Sequence, residues 1–388
     1  MFKLAFKIAS ILLIIAVLIF FIYVPTYIDK SMNKVQLKIA NPPKVEWYDS
    51  IPFIADLHCD QLLWDRDVLT EHEYGHVDVP RMQKANMALQ VFSIVTKTPR
   101  GINIENNTAE TDNITLLGIA QLRPFKTWFN LTERALNQCN EFHNAAENSK
   151  GQLRLITNKA ELNQYIEDRA KNKLITAGML GIEGAHALNN DLNNLTKLYT
   201  AGVRYIGITH FFDNEWAGSA HGVNKSGLTK KGISLIKKMN ELKITVDLAH
   251  VSPTAIDDIF KLSNSPVIIS HTGVQGICNN RRNLSNKHLE EIGKRNGLVG
   301  IGLWETAVCG TDAEATAKSI RYVADKIGVT KVALGSDFDG AIGTHFDVTG
   351  LPLIVNALQK EHFTRAEIEL ILGGNIRNFF LKNLPEGN

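Results

Sequence analysis

The sequence predicts an α/β fold, a (β/α)8 TIM-like barrel preceded by an N-terminal transmembrane helix. Two observations carry the barrel: eight short, apolar, β-branched runs recur between residues 53 and 340, and most are separated by stretches of helical periodicity. A third sets the first helix apart. Residues 8–24 are apolar all round, interrupted only by Ser10, whereas a helix of the globular body would be striped. A doubly wound open sheet is the competing arrangement of the same βα units.

In chain order, residues 1–30 read as a signal anchor. The seventeen residues of this run at about 1.5 Å rise reach roughly 25 Å, a little short of the ~30 Å hydrocarbon core, and a modest extension closes the gap. Tyr23 and Tyr27 fall where aromatic side chains anchor at an interface, and no small-x-small cleavage site follows, so an uncleaved anchor is expected. Lys3 and Lys7 favour a cytoplasmic amino terminus and a periplasmic or extracellular body; Lys30, Lys34 and Lys38 on the other flank weaken that asymmetry. Residues 31–50, polar and punctuated by Pro42 and Pro43, read as a stalk, and 51–388 as a single domain without internal repeats.

The eight runs are FIADLHCD (53–60), ALQVFSIV (88–95), ITAGMLGIEG (175–184), VRYIGITH (203–210), KITVDLAH (243–250), PVIISHT (266–272), GLVGIGLW (297–304) and KVALGSDFDG (331–340). Helices are expected over 229–241, 252–262, 313–327 and 364–372, with Ser, Thr or another favourable cap at their starts. Residues 96–174 are too long for a plain connection and are expected to carry two or more extra helices.

Composition bounds the function. Lys and Arg total 42 against 40 Asp and Glu, a formal net charge of +2, which argues against a protein built to hold nucleic acid. Cys59, Cys139, Cys278 and Cys309 are widely spaced with no CxxC, so they are read as core thiols and not as bridges or a zinc knuckle.

The ionisable residues at the run ends are the main clue. His58, His210, His250 and His271 each lie at the carboxyl end of a run, as do Glu183 and Asp337, and Asp60 follows His58 by the two residues that keep both on one side of a strand. In a βα barrel these ends converge on one face. A lone strand-end histidine is ordinarily a hydrogen-bonded rim residue, but this many buried ionisable groups are costly unless they are paired or bind metal. Imidazole and carboxylate donors without thiolate suit a catalytic site, and their number suits a two-metal centre with a carboxylate bridge. Cys59, alternating between His58 and Asp60, should point into the core. The other eight histidines are read as surface or capping residues, with His186 as a supporting residue and His221 near the pocket.

With these residues in place, the motifs DLHCD, GIEGAHAL, ITHFFDNEWAGSAHG, VDLAHVSP, VIISHTGVQGICNNRRNLSN, ALGSDFDG and GGNIRNFF, in order over about residues 50–383, resemble the membrane (renal) dipeptidases of metallopeptidase family M19, in their bacterial branch. The resemblance implies a barrel of the metal-dependent hydrolase type holding two zinc ions. His58, Asp60 and Glu183 would hold one ion, and Glu183 would bridge to a second completed by His250 and His271. It further implies hydrolysis of dipeptides, including those with a D-residue at the C-terminal position, by attack of a metal-bridging hydroxide. Asp337 would be the acid/base, His210 would contact substrate and stabilise the oxyanion, and Arg282 would pair with the substrate carboxylate; Asp339 is the weaker alternative to Asp337, expected to cap the next segment. Ala185 stands where the family often has a second Gly, which removes no ligand. The carboxyl end, KNLPEGN, lacks the apolar tail of a glycolipid signal. Two other functions compete: hydrolysis of another small amide or lactam on the same barrel, which would not need Arg282, and a catalytically dead barrel acting as a receptor, which would have lost ligands. Whether the body forms a homodimer is left open.

Overall fold

The computed structural model describes residues 2–37 and 45–387. Every one of the eight runs forms a strand. They are β1 (Ile54–Cys59), β2 (Met87–Val95), β4 (Thr176–Glu183), β5 (Val203–Gly207), β6 (Thr245–Asp247), β7 (Ile268–Thr272), β8 (Leu298–Ile301) and β9 (Val332–Leu334), with one short addition, β3 (Leu153–Leu155). All pair in parallel in the order β1-β2-β4-β5-β6-β7-β8-β9, and β3 takes the amino-terminal part of β4 before β5 begins. Among the described residues the order never reverses, so they hold no switch point of a doubly wound sheet. The last strand returns to the first: Cys59 bridges Phe338 in parallel, and the Asp60 N–H donates to the Phe338 carbonyl at 2.8 Å. The sheet is a nearly closed eight-stranded barrel.

Side-chain alternation divides the core. On β4, Ala177 and Met179 pack with Leu57, Leu89, Val91 and Tyr205 inside the barrel, whereas Leu180 and Ile182 pack outward under the helices. Gly178 faces out, where a Cβ would strike Phe142 at 2.2 Å; Gly181 faces in, where a Cβ would strike the Tyr205 ring at 2.1 Å. Glu183 continues the inward series and reaches the barrel mouth.

The helices follow their caps. Thr229, Ser252 and Asp312 each accept a backbone N–H in the first turn of helices Lys230–Glu241, Pro253–Leu262 and Ala313–Ile327, and Thr364 with Glu367 forms a capping box before Arg365–Glu369. The insertion over 96–174 holds three helices, Asn113–Ala120, Leu131–Asn148 and Lys159–Lys171, as well as β3.

At the amino terminus, α1 (Phe2–Ile22) has a mean hydropathy of 2.9 and buries nothing, so by length and composition it suits a membrane anchor or a signal sequence. Beyond it the chain is not a free tether. Helix α2 (Val24–Met32) buries Asp29 against the barrel, Val35 bridges Thr344, and the buried Tyr48 donates to the Ala85 carbonyl at 2.8 Å. Lys38, Pro42 and Pro43 lie outside the described residues.

Two expectations need correction. Cys278 and Cys309 form a disulfide, with Cα atoms 5.3 Å apart; only Cys59 and Cys139 are buried free thiols. Sequence spacing could not show the pair, because it joins the loops that follow β7 and β8. Among the histidines read as surface or capping residues, His76 and His288 are buried.

The last helices close the bottom of the barrel through Gly373, where a Cβ would meet the Phe53 carbonyl oxygen at 2.4 Å and the Ala55 nitrogen at 2.6 Å. Backbone cannot yield as a flexible side chain can. Gly373→Ala is expected to destabilise the fold by about 1–3 kcal/mol, read as a lowered urea midpoint with unchanged slope.

Candidate metal centre and active site

The barrel mouth gathers the ionisable residues of six strands. Glu183 is at the centre: its Oε1 is 3.0 Å from His250 Nε2, 3.3 Å from His271 Nε2 and 3.8 Å from His58 Nε2, while Oε2 is 3.2 Å from His210 Nε2. His58 Nε2 also faces Asp60 Oδ1 at 3.3 Å and Asp337 Oδ1 at 3.9 Å. His250 and His271 bring their Nε2 atoms within 3.0 Å of each other. All are buried.

Arg282 is buried beside them, its Nη2 donating to the His271 carbonyl at 2.8 Å and lying 3.4 Å from His250 Nε2, with its guanidinium over the Trp304 ring. Arg281 points away to Glu105 at 2.9 Å on the surface. Asp339 is not in the cluster and caps nothing after it. It is paired with Arg66 at 2.7 Å and accepts the N–H groups of His76 and Val77, and Arg66 and His76 outweigh burial to hold its carboxyl well below the usual range. His186 packs on Phe212, and His221 sits at the rim of the cluster, its ring 5.1 Å from that of His250.

A family model described as membrane dipeptidase, peptidase family M19, matches residues 50–382. The chain belongs to this family. It is accordingly a hydrolase of the metallo-dipeptidase class. Dipeptidase verJ of Clonostachys rogersoniana is 26% identical over 360 residues, covering 90% of this chain and 86% of its own. Dipeptidase aclJ of Aspergillus oryzae (strain ATCC 42149 / RIB 40) is 27% identical over 350 residues, covering 83% and 76%. A crystal structure of a metallo peptidase from Rhodobacter sphaeroides, liganded with a phosphinate mimic of the dipeptide L-Ala-D-Ala, has the same fold, with a TM-score of 0.70 at 23% identity over 86% of this chain and 99% of that one.

In this M19 chain the electrostatics fit divalent cations. Burial pushes up the carboxyls of Asp60, Glu183 and Asp337, the last to about 8, with Asp60 adding repulsion at Asp337 against the pull of His58. Burial and neighbouring cationic groups push His210, His250 and His271 down. At His58 burial also acts downward, but Asp60, Glu183 and Asp337 outweigh it and raise the imidazole to about 10. Like groups thus oppose one another within a few ångströms. His58 Nε2 and Asp60 Oδ1 are buried without a hydrogen-bond partner, and the two facing Nε2 atoms of His250 and His271 can share at most one proton. A cation satisfies all of these at once. Three sets of donors each lie within 4.8 Å: His58, Asp60 and Asp337; His58, Glu183 and His271; and Glu183, His210 and His250. His210 is therefore also among the candidate donors, beside Glu183.

The tautomers agree. The Tyr205 hydroxyl lies 3.2 Å from both the Leu57 carbonyl and His58 Nδ1, and when it donates to the carbonyl its oxygen receives Nδ1–H of His58. Ser270 donates to Asp247 at 2.6 Å, so its oxygen receives Nδ1–H of His271 at 2.9 Å. Both histidines then present the Nε2 lone pair to the centre. Tyr205, Ser270 and Asp247 were missed in the sequence, since each lies within an apolar run; Tyr205 reaches His58, and Asp247 reaches the Ser270 that neighbours His271, only once strands are adjacent. Gly181, whose missing side chain makes room for Tyr205, is part of the same arrangement.

Ser270→Ala leaves the His271 Nδ1 without its fixed partner. Metal affinity is expected to fall by roughly 10–100-fold, measured by competition against a chromophoric chelator, with the far-UV circular dichroism unchanged.

Proposed function

We propose that this M19 chain is a membrane-anchored binuclear zinc dipeptidase that accepts dipeptides with either hand of C-terminal residue. The observation that carries the proposal is the convergence of His58, His210, His250 and His271 on the two oxygens of one carboxylate, Glu183. His58 and Asp60 with Glu183 would hold one zinc, and Glu183 with His250 and His271 the other. Bound there, the pair of ions would acidify a water and polarise the amide carbonyl.

The chain's own residues supply the rest. Asp337, with a carboxyl titrating near 8 before metal is bound, is the group suited to take the water's proton and return it to the leaving amine. His210 carries an Nε2 at the mouth that can stabilise charge developing on the carbonyl oxygen. Arg282, planar, cationic and dry, suits the substrate's C-terminal carboxylate. Nothing among these assignments selects the hand of the terminal residue; acceptance of a D-residue is supported by the phosphinate mimic of L-Ala-D-Ala that the Rhodobacter sphaeroides protein binds.

Two features support a body outside the cytoplasm: the apolar, unburied α1 with Lys3 and Lys7 at its amino end, and the Cys278–Cys309 disulfide, a bond that persists in oxidising compartments.

The deciding experiment is metal analysis of the full chain in detergent, followed by dipeptide hydrolysis before and after chelation and zinc return. About two ions per chain with chelator-sensitive cleavage of free dipeptides is expected. Two ions without dipeptide cleavage would redirect the site to another small amide, and no bound metal would overturn the proposal. Asp337→Asn should keep its metals and lose roughly 10²–10⁴-fold in turnover; Glu183→Gln should lose metal and activity together. Arg282→Ala is expected to raise KM for dipeptides about 10–100-fold and to leave amides without a carboxylate nearly unaffected.

A further inference from the structure

The segment that follows α1 lies before residue 50, where the family match begins, yet it reaches the loop that carries Asp337. That loop is an unusual piece of backbone. Asp337, Asp339 and Ala341 have φ of 62°, 62° and 58°, a left-handed conformation uncommon in side-chain-bearing residues, and three within one turn call for support from the surroundings.

Much of that support comes from α2. Asp29, 2% exposed, contacts Arg66 Nε at 2.7 Å, and Arg66 Nη2 contacts Asp339 Oδ1 at 2.7 Å. Asn33, also 2% exposed, donates to Asp29 at 2.8 Å and accepts the Ala341 N–H at 2.9 Å. The backbone just beyond continues the contact: Thr344 N–H donates to the Lys34 carbonyl and Gln36 N–H to the Thr344 carbonyl, both at 2.9 Å. Space for the central guanidinium is provided by Gly75, at φ +69°, where a Cβ would strike Arg66 at 2.3 Å. On the other side Trp64 donates to the Asp339 carbonyl at 2.6 Å, while Ile28 of α2 packs on the cluster containing Trp64.

We propose that Asp29 and Asn33 are positioning residues of the active site, which hold the Asp337 loop in place through Arg66, Asp339 and Ala341. The site is thus completed by the stretch of chain that joins it to the apolar helix. Removing the Asp29 carboxylate leaves a buried guanidinium with one anionic partner; removing the Asn33 amide frees the Ala341 N–H. Either change loosens the 337–341 turn without touching His58, Glu183, His250 or His271. The inference rests on the acid/base reading of Asp337.

The test uses the full chain in detergent, with Asp29→Ala and the milder Asn33→Ala, which removes only two hydrogen bonds. Expected is a fall in kcat of roughly ten- to a hundredfold for Asp29→Ala and a smaller fall for Asn33→Ala, with KM and bound metal unchanged. Hydrogen–deuterium exchange should quicken over residues 336–345 in both variants and not in the strands. Wild-type kcat in both variants, beside an inactive Asp337→Asn, would overturn the clamp alone. A fall in kcat accompanied by metal loss, or by exchange spread over the whole barrel, would overturn it too, by showing a general structural role. Full turnover by Asp337→Asn would instead remove the acid/base reading on which the clamp depends.

Discussion

The constraint on which this structure depends is the burial of three carboxylates and four imidazoles around one another at the mouth of a barrel. Taken out of water, such groups cannot all hold their ordinary charge states, and the directions of their shifts show the conflict: Asp60, Glu183 and Asp337 are pushed toward the neutral form, while His58 is driven to keep its proton. The arrangement is tenable when cations replace protons. Glu183 is decisive because it alone faces all four histidines.

The barrel satisfies that constraint by placing the groups at, or just past, the carboxyl ends of its strands. β6 and β9 are three residues each, and His250 and Asp337 lie three residues beyond them. Both have positive φ, at 63° and 62°. Irregular backbone lets side chains turn inward over the mouth, but its peptide groups need partners outside the ladder. The His250 carbonyl accepts from the Ala220 N–H at 2.8 Å and the Thr209 hydroxyl at 3.0 Å. Next to Asp337, Ser336 donates through both its N–H and its hydroxyl to Asp56, at 2.7 and 2.6 Å.

Much of this was legible in sequence because two periodicities coincide. Alternation within strands and their recurrence with intervening helices mark the eight runs, and the placement of ionisable residues at their ends marks the mouth. All eight predicted site residues do gather there, Arg282 included. What stayed hidden depends on contacts between distant segments. The Cys278–Cys309 bridge, the Tyr205 partner of His58, the Asp247 partner of Ser270, and the burial of His76 against Asp339 have no local pattern. A polar, proline-punctuated stretch reads as a tether whether or not its Asn33 finds a partner in the barrel.

Those hidden contacts share one physical task. Asp247 with Ser270, Asp56 with Ser336, and Asp339 with Arg66 are buried carboxyl hubs, each receiving several donors from loops or strand ends next to a metal-ligand candidate or Asp337. A buried carboxylate without enough donors is costly, so each hub admits only one arrangement of the backbone around it. The Cys278–Cys309 bridge acts covalently on the remaining loop, where Asn283 donates to the Cys278 and Ala307 carbonyls beside Arg282. Rigidity at the mouth is therefore assembled from outside the strands, and the segments that provide it lie far apart in sequence. One of them precedes the barrel altogether, which is why the domain cannot be delimited by its strands alone.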